Sequence, residues 1–426
     1  MRVLFVSTLF PREPKMNVSG GFLRMGMMVD ALKEIGQLDM FFYVPADLDI
    51  SSAASSLMEN ALREHWNADI RLFLYPRFVP GETLTRWQRY GASSLSFMKY
   101  PDYMATSMTP QVNALEACLA RQKPDVVFAY KLPSICPLLR SGKNHPPVFL
   151  DLDDVEHLVL LRSIRNTHGF RKKVTRLMRF PALFLGERKA LRLACRTFVC
   201  SERDRQYLAK RLRLPGIATV PNSVNRFERL PIPADPTLLF LGTYGYEPNI
   251  AAAEFLIRQV WPKILKAMPE ARLIIAGPEP EWIPSYRWTV PGVEYTGFVE
   301  NLEELYRRSR VVCCPILWGG GTRIKIIEAA AYGRPIVSTT IGAEGLDLSD
   351  GSEILLRDDP KSFAEACLHL LKDPDSCRHL SSSAYTKVHQ LYDRKKIVRL
   401  IQEHIQPAVK PVPEMFGGVE GCDRFS

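Results

Sequence analysis

Short apolar runs alternate with amphipathic helical stretches along nearly the whole chain, and this alternation constrains the fold more than any other feature. Such runs suit strands buried on both faces, and a helix between each successive pair returns the chain to the same end of a parallel sheet. In the first half the runs are Val3–Ser7, Met40–Val44, Ile70–Leu74, Val126–Ala129, Val148–Asp151 and Thr197–Cys200. Helical stretches lie between them, notably Phe22–Ile35, Pro110–Arg121 and Lys172–Ala194. In the second half the runs are Thr237–Leu241, Arg272–Ala276, Val293–Thr296, Arg310–Pro315, Pro335–Ser338 and Glu353–Leu356. Helices are expected there at Ile250–Ala267, Leu302–Arg308, Arg323–Tyr332, Lys361–Leu371, Ser376–Leu391 and Lys395–His404. The class is therefore α/β, with two doubly wound, Rossmann-like domains.

A chain of 426 residues is too long for one compact core. Pro231-Ile232-Pro233-Ala234-Asp235-Pro236 supplies a connector that neither a helix nor a central strand would tolerate. The expected domains are 1–230 and 236–392. A helix at 393–407 is expected to pack back toward the first domain, and 408–426 reads as a loose tail.

Hydrophobic residues make up 46% and charged residues 24%, the range of a soluble globular protein. The formal charge of +10 favours anionic partners: nucleic acid, phosphorylated substrates or an anionic membrane face. With no recognisable RNA-binding motif, nucleic acid is not an expected partner. The cysteines are odd in number and form no C-x-x-C pair, which excludes a zinc ribbon or thioredoxin-like motif and suits free thiols in a reducing compartment. The opening Met1–Ser7 run is too short for a signal peptide, and no stretch of about 20 apolar residues occurs. A cytoplasmic protein able to touch a membrane surface is expected.

The most informative segment runs from Arg310 to Pro335. It reads as a strand, a bend of Gly319-Gly320-Gly321, a helix, a stop at Gly333 and the next strand. In open parallel sheets ligands bind beyond the carboxyl ends of the strands. Glycines let a ligand come close to the backbone, and the following helix N-terminus offers unpaired N–H groups to a phosphate. Arg323 and Lys325 then stand in the first turn. Cations there are unfavourable by a few tenths to about 1 kcal/mol each unless an anion joins them. Glu328 follows one turn later, where it can accept hydrogen bonds from ribose hydroxyls. A tight crossover with solvated charges is the competing reading.

With these residues in hand, the sequence resembles the family-4 glycosyltransferases, "glycosyl transferases group 1", over Met1 to about His404. The matching pieces keep their order. Val6-Ser7 with Ser19-Gly20-Gly21 and the helix from Phe22 resembles the family's donor-facing glycine loop. Val199-Cys200-Ser201-Glu202-Arg203-Asp204 and Val220-Pro221-Asn222-Ser223-Val224 resemble its paired strand ends. Phe240-Leu241-Gly242-Thr243 with Pro248-Asn249 resembles the start of its nucleotide lobe. Leu273-Ile274-Ile275-Ala276-Gly277 and Gly297-Phe298-Val299 resemble the strand ends that line the base.

The resemblance implies the two-lobed GT-B fold, a retaining mechanism, and a donor site at Gly21, Gly242, Phe298, Val299, Gly321, Thr322, Arg323, Lys325 and Glu328. Glu328 matches the second glutamate of the family's Glu-seven-residues-Glu motif, which binds ribose. The first, which usually contacts the donor sugar, is Gly320 here, so the chain falls in a subgroup reading Gly-Gly-Gly-Thr-Arg-x-Lys. The Arg and Lys that usually follow the first strand of this lobe are also missing, and Arg323 and Lys325 are expected to neutralise the phosphates. Fixed cations and backbone N–H groups stabilise the charge of a departing diphosphate, so no metal and no cofactor is expected beyond a UDP- or GDP-linked sugar.

On the acceptor side, Leu150-Asp151-Leu152-Asp153-Asp154-Val155-Glu156-His157 places acids at a strand's carboxyl end. Asp153 and His157 are the candidate catalytic residues, orienting the acceptor hydroxyl or polarising the reacting sugar. An Asp-x-Asp metal site and capping of the next helix by Asp154 are the alternatives. Between Arg162 and Arg196 basic residues interleave with apolar ones, and Glu187 is the only acid. Such a stretch can lie on anionic lipid, which suits a lipid-linked acceptor, or can be a solvated helix face.

The expected activity is transfer of a sugar to a glycan or lipid-linked acceptor in surface polysaccharide or lipopolysaccharide assembly. A non-catalytic sugar-nucleotide-binding protein and a sugar-nucleotide epimerase of the same double fold are the alternatives.

Overall fold

The protein is described by a computed structural model covering residues 1–14, 19–78, 105–166, 169–225 and 227–408. The expected tail lies outside these residues except at its first position, Ala408.

Seven parallel strands form the first sheet, in the order β3-β2-β1-β4-β5-β6-β7. They are β1 (Arg2–Ser7), β2 (Gln37–Val44), β3 (Ile70–Pro76), β4 (Val126–Tyr130), β5 (Val148–Asp153), β6 (Arg196–Val199) and β7 (Ile217–Thr219). Connecting helices are α1 (Gly20–Lys33), α2 (Ser52–Trp66), α3 (Thr109–Gln122), α4 (Leu132–Arg140), α5 (Glu156–Asn166), α6 (Phe170–Leu193) and α7 (Glu202–Gln206). Continuous apolar runs explain the central strands: Val3-Leu4-Phe5-Val6 and Val126 to Tyr130 are buried on both faces, as a sheet covered by helices on each side requires.

Six parallel strands form the second sheet, in the order β10-β9-β8-β11-β12-β13. These are β8 (Thr237–Leu241), β9 (Arg272–Ala276), β10 (Val293–Gly297), β11 (Val311–Cys314), β12 (Ile336–Ser338) and β13 (Leu355–Leu356). Its helices are α8 (Glu247–Phe255), α9 (Trp261–Ala267), α10 (Leu302–Arg308), α11 (Ile324–Ala331), α12 (Pro360–Lys372) and α13 (Pro374–Leu391). A π-turn at Leu256–Val260 separates α8 from α9, where the sequence suggested one helix. Its bond runs from the Trp261 N–H to the Leu256 carbonyl, just before Pro262, which has no N–H to continue the regular ladder.

Both sheets are doubly wound, and in both the strand order reverses between the first and fourth strands in sequence, at β1/β4 and at β8/β11. At such a switch point adjacent loops leave in opposite directions and open a crevice beyond the strand ends.

The proline connector is tied to the second lobe. The fully buried Arg334 donates to the carbonyls of Ser309 at 3.1 Å and Pro231 at 2.8 Å, and Arg310 donates to Ala234 at 3.1 Å. A last helix, α14 (Arg394–Ile405), leaves the second lobe and buries Ile397, Val398, Ile401 and Ile405 in the core of the first with Val3, Phe5 and Met28. Arg394 secures it to Asp30 of α1 at 2.7 Å. The chain thus crosses between lobes twice, at the proline connector and before α14.

Candidate active site

Between the facing strand ends lies a cavity of about 450 Å³. The second lobe contributes Gly242 after β8, Gly277 and Pro278 after β9, Phe298 and Val299 after β10, and Gly320 to Lys325 with Glu328 after β11. From the first lobe come Ser19 to Gly21 at the start of α1, Lys131 after β4, Asp153 and Asp154 at the end of β5, and Asn222 after β7. All the residues expected at the donor site therefore meet in one cavity, and Asp153 joins them.

The glycine bend has a steric cause. Gly319 and Gly321 have φ of 131° and 64°, which side-chain-bearing residues rarely adopt. A Cβ on Gly320 would overlap Val159 of α5, and one on Gly321 would overlap the Asp154 carboxylate. At the bend the second lobe packs directly against Val159 and Asp154 of the first.

Arg323 is the N-cap residue of α11. Its Nη1 curls back to donate to the carbonyls of Gly320 and Gly321 and so fixes the bend. Its Nη2 is buried with no hydrogen-bond partner, a donor left over for an anion. Lys325 donates to the Leu241 carbonyl and, at 3.0 Å, to Asn249 Oδ1, and its ammonium stands 4.7 Å from the centre of the Phe240 ring. Burial pushes its pKa down to about 8. Glu328 accepts a hydrogen bond from the Tyr306 hydroxyl at 2.9 Å, and burial pushes its pKa up to about 7.

On the first lobe, Arg24 is completely buried and pairs with Asp151 at 2.6 Å. It also donates to the Val220 carbonyl at 3.0 Å and to Asn222 Oδ1 at 3.1 Å. Asn222 passes the connection across the cleft, its Nδ2 donating to Thr322 Oγ1 at 2.8 Å. Asp153, with φ of 60°, pairs with Lys131 at 3.2 Å and with Arg24 at 3.6 Å. Burial alone would raise its pKa, but Lys131 and Arg24 outweigh it and hold the carboxyl below its usual range. At Asp154 the balance falls the other way: burial and then the charge of Asp153 outweigh Lys131 and Arg323 and push it up to about 6.

His157 does not belong to this site. Its side chain is only 1% exposed and sits in the first lobe, bonded through Nδ1 to Glu187 and through Nε2 to the Tyr207 hydroxyl at 2.7 Å, with Phe184 edge-on at 5.0 Å. The cause is α5: at the second position of the helix, His157 falls on the face that packs on α6. Glu187, the lone acid of the basic stretch, also accepts from the Glu156 N–H at 2.8 Å and so takes the capping role that was the alternative for Asp154. Asp151 and Asp153 are already paired with Arg24 and Lys131, which leaves an Asp-x-Asp metal clamp without free carboxylates. Lys131 and Asn222 are site residues that the sequence reading passed over, although Lys131 follows β4 directly at the switch point and Asn222 lies in a segment already set apart.

Part of the basic stretch faces the second lobe and not solvent. Arg162 pairs with Glu344 and donates to the Gly319 carbonyl at 2.7 Å, and Arg176 pairs with Glu247 at 3.3 Å. On α6 itself, Phe170, Val174, Leu177 and Met178 are exposed at helical spacing, Phe170 at 83% and Leu177 at 58%, among Arg171, Lys172 and Lys173. No helix of the described residues is long and apolar enough to cross a membrane.

The second lobe matches a known family over residues 235–373, described as "Glycosyl transferases group 1". Residues 235–373 are a glycosyl transferases group 1 domain. The glycine bend, Arg323, Lys325 and Glu328 all lie inside it. Among curated relatives, the chain is 24% identical over 168 residues to an uncharacterized 44.6 kDa protein in the cps region of Klebsiella pneumoniae, covering 38% of this chain and 43% of that one. It is 28% identical over 163 residues to a phosphatidyl-myo-inositol mannosyltransferase of Mycolicibacterium smegmatis, covering 37% and 41%. The matches thus span less than half of each relative.

Solved structures resemble the whole chain. Sucrose-phosphate synthase from Thermosynechococcus elongatus has a TM-score of 0.68 at 18% identity, covering 95% of this chain and 98% of that one. HepE from Anabaena, in complex with UDP-glucose, has a TM-score of 0.65 at 15% identity, covering 96% and 100%. The fold is GT-B, two Rossmann-like lobes facing across a cleft.

Proposed function

We propose that this chain is a retaining glycosyltransferase that carries a sugar from a UDP- or GDP-linked donor to a glycan or lipid-linked acceptor, with no metal ion, in the assembly of a surface polysaccharide or lipopolysaccharide. The observation that carries the reading is the convergence in one interlobe cavity of a helix N-terminus, its two cations and the Glu328 carboxylate with Lys131 and Asp153 of the facing lobe. The base lies along the backbone at Phe298 and Val299, the ribose hydroxyls meet Glu328, and the diphosphate sits over the start of α11 with Arg323 and Lys325. As the bond to the diphosphate breaks, the leaving group gathers negative charge and the sugar becomes oxocarbenium-like. Cations fixed before the reaction stabilise that charge without solvent rearrangement. Asp153, held ionised by Lys131 and Arg24, faces the sugar as positive charge develops. Contact between the lobes limits water at the reacting carbon. The likeness to a protein of a cps region supports the surface-polysaccharide part of the reading.

Calorimetry with UDP and GDP tests the site. One of them binds, and Arg323→Ala or Lys325→Ala weakens it; unchanged affinity in both variants removes these cations from the site. Turnover of the matching nucleotide-sugar against an acceptor panel, followed by NMR, gives a product of unchanged anomeric configuration and persists in EDTA. Binding with no turnover points to the non-catalytic alternative, and epimerisation of the donor without acceptor points to an epimerase.

A separate observation supports a membrane-facing role. The exposed apolar residues of α6 lie among lysines and arginines, a pattern that suits an anionic lipid surface on the acceptor side. Co-sedimentation with phosphatidylglycerol vesicles is expected, and it is lost on changing Phe170 and Leu177 to serine with Lys172 and Lys173 to glutamate. No sedimentation of the unaltered protein ends this part of the reading.

A further inference from the structure

Of the carboxylates that line the cavity, Asp153 is paired with Lys131 and Arg24, and Glu328 accepts from Tyr306. The Asp154 carboxylate has neither a hydrogen-bond nor an ion-pair partner among the described residues, although it lies in the same cavity. Its position is set by a sharp turn at the end of β5. The left-handed backbone of Asp153 lets the Asp154 N–H fold back to the Leu152 carbonyl at 2.8 Å, where β5 gives way to α5. Directly across the cleft stands the glycine bend. A Cβ on Gly320 would be 3.1 Å from Asp154 Oδ1, and one on Gly321 would overlap the same oxygen. The bend has no side chains at these positions because a carboxylate from the other lobe fills the space they would take.

A carboxylate in a crowded cavity without a partner costs free energy unless something is supplied to it. The geometry of a nucleotide-sugar says what that is. Such a donor is a linear series of base, ribose, diphosphate and sugar. With ribose at Glu328 and diphosphate over the start of α11, the sugar ring emerges past the bend, beside Asp154. A phosphate oxygen against Asp154 would set like charges together, whereas a sugar hydroxyl is neutral and donates a proton to the carboxylate oxygen. Burial and Asp153 raise the pKa of Asp154, and a hydroxyl donating to the carboxylate would offset that cost.

We propose that Asp154 reads the donor sugar, accepting a hydrogen bond from a hydroxyl of the transferred ring and supplying from the opposite lobe the specificity contact that the glycine bend cannot make. This rests on the nucleotide-sugar reading above. Asp154 then acts only when the lobes are together, so recognition of the sugar is tied to their contact.

The test compares affinities for UDP and UDP-glucose, or GDP and GDP-mannose, in the full chain and in two variants. Asp154→Asn preserves size and weakens the hydrogen bond's acceptor. It is expected to leave nucleotide affinity within about twofold and to weaken the nucleotide-sugar by about tenfold or more, the usual range for a hydrogen bond to a charged group. Val159→Ala trims the other side chain packed on the bend and keeps the carboxylate; the ratio of the two affinities is expected to stay at the wild-type value. The proposal is overturned if Asp154→Asn moves both affinities equally, or if Val159→Ala moves the ratio as much. If the unaltered protein binds neither nucleotide, the nucleotide-sugar reading itself falls. Binding that persists with an unchanged ratio in Asp154→Asn removes only the role of Asp154.

Discussion

Two cavity residues have ionisation behaviour that sets opposite limits on ligand binding. Burial raises the pKa of Glu328 to about 7, so it gains the charge that best accepts ribose hydroxyls only as pH rises through that value. Burial lowers the pKa of Lys325 to about 8, so the empty site loses a cation as pH rises further. Affinity for a nucleotide-sugar, whose two phosphates do not titrate in this window, is therefore expected to peak between about 7 and about 8. Isothermal titration over pH should show Glu328→Gln flattening the acid limb and Lys325→Met the alkaline one; a flat profile in the unaltered protein would refute both assignments. Stability runs the other way for Glu328. Its folded pKa lies above its unfolded value of about 4.5, so the folded state holds the proton more tightly and stability falls as pH rises from there through about 7. Glu328→Gln is neutral at every pH. Its melting temperature should exceed that of the unaltered protein at pH 8 and approach it near pH 5, while its nucleotide affinity drops. A residue that trades stability for binding is what a functional site is expected to hold.

At the scale of elements, strand ends are held close by glycine. After β9, Gly277 has φ of 132°, and a Cβ there would run into the carbonyl oxygen of Gly242 after β8. Gly277→Ala is expected to destabilise the second lobe by about 1–3 kcal/mol, the cost of overpacking a rigid contact, and to distort the cavity wall beside it. Urea denaturation checks the first effect; stability within error of the parent would show that the two strand ends can separate freely. Much of this was legible in sequence, since the strands follow from apolar runs and the glycine bend from its composition. Other parts were hidden for physical reasons. Pro133 and Pro137 disguise α4, β7 has only the short Ile217-Ala218-Thr219 to announce it, and Pro262 breaks one expected helix into two through a π-turn. His157 was misplaced because adjacency to the acids in sequence gives no hint that α5 turns the ring toward Glu187. Asp154 has no site role in the sequence, where capping is only one alternative for it, because nothing in one segment reveals the bend that faces it from more than a hundred residues away.

For the whole molecule, the cleft geometry depends on a few polar contacts between lobes, and Glu344 is at their centre. It accepts from Arg162 of α5 and from Arg203 of α7, both on the first lobe, while Arg162 also donates to the Gly319 carbonyl at 2.7 Å. The Glu344 side chain is 16% exposed and Arg162 26%, so their pair is screened less than a surface pair, whereas Arg203 is 61% exposed and adds less. Asn222–Thr322 and Arg176–Glu247 add bonds of the same kind. None contributes to the core of either lobe, so removing Glu344 should loosen their contact without unfolding them. Glu344→Ala is expected to raise the radius of gyration of the ligand-free protein in solution scattering, with its melting temperature nearly unchanged. Nucleotide-sugar should restore the compact form, at an affinity lowered about three- to tenfold, because part of the binding energy is then used to bring the lobes together. Raising salt should shift the unaltered protein in the same direction. Superimposable scattering curves for the variant and its parent would show that α14 and the proline connector hold the cleft shut by themselves.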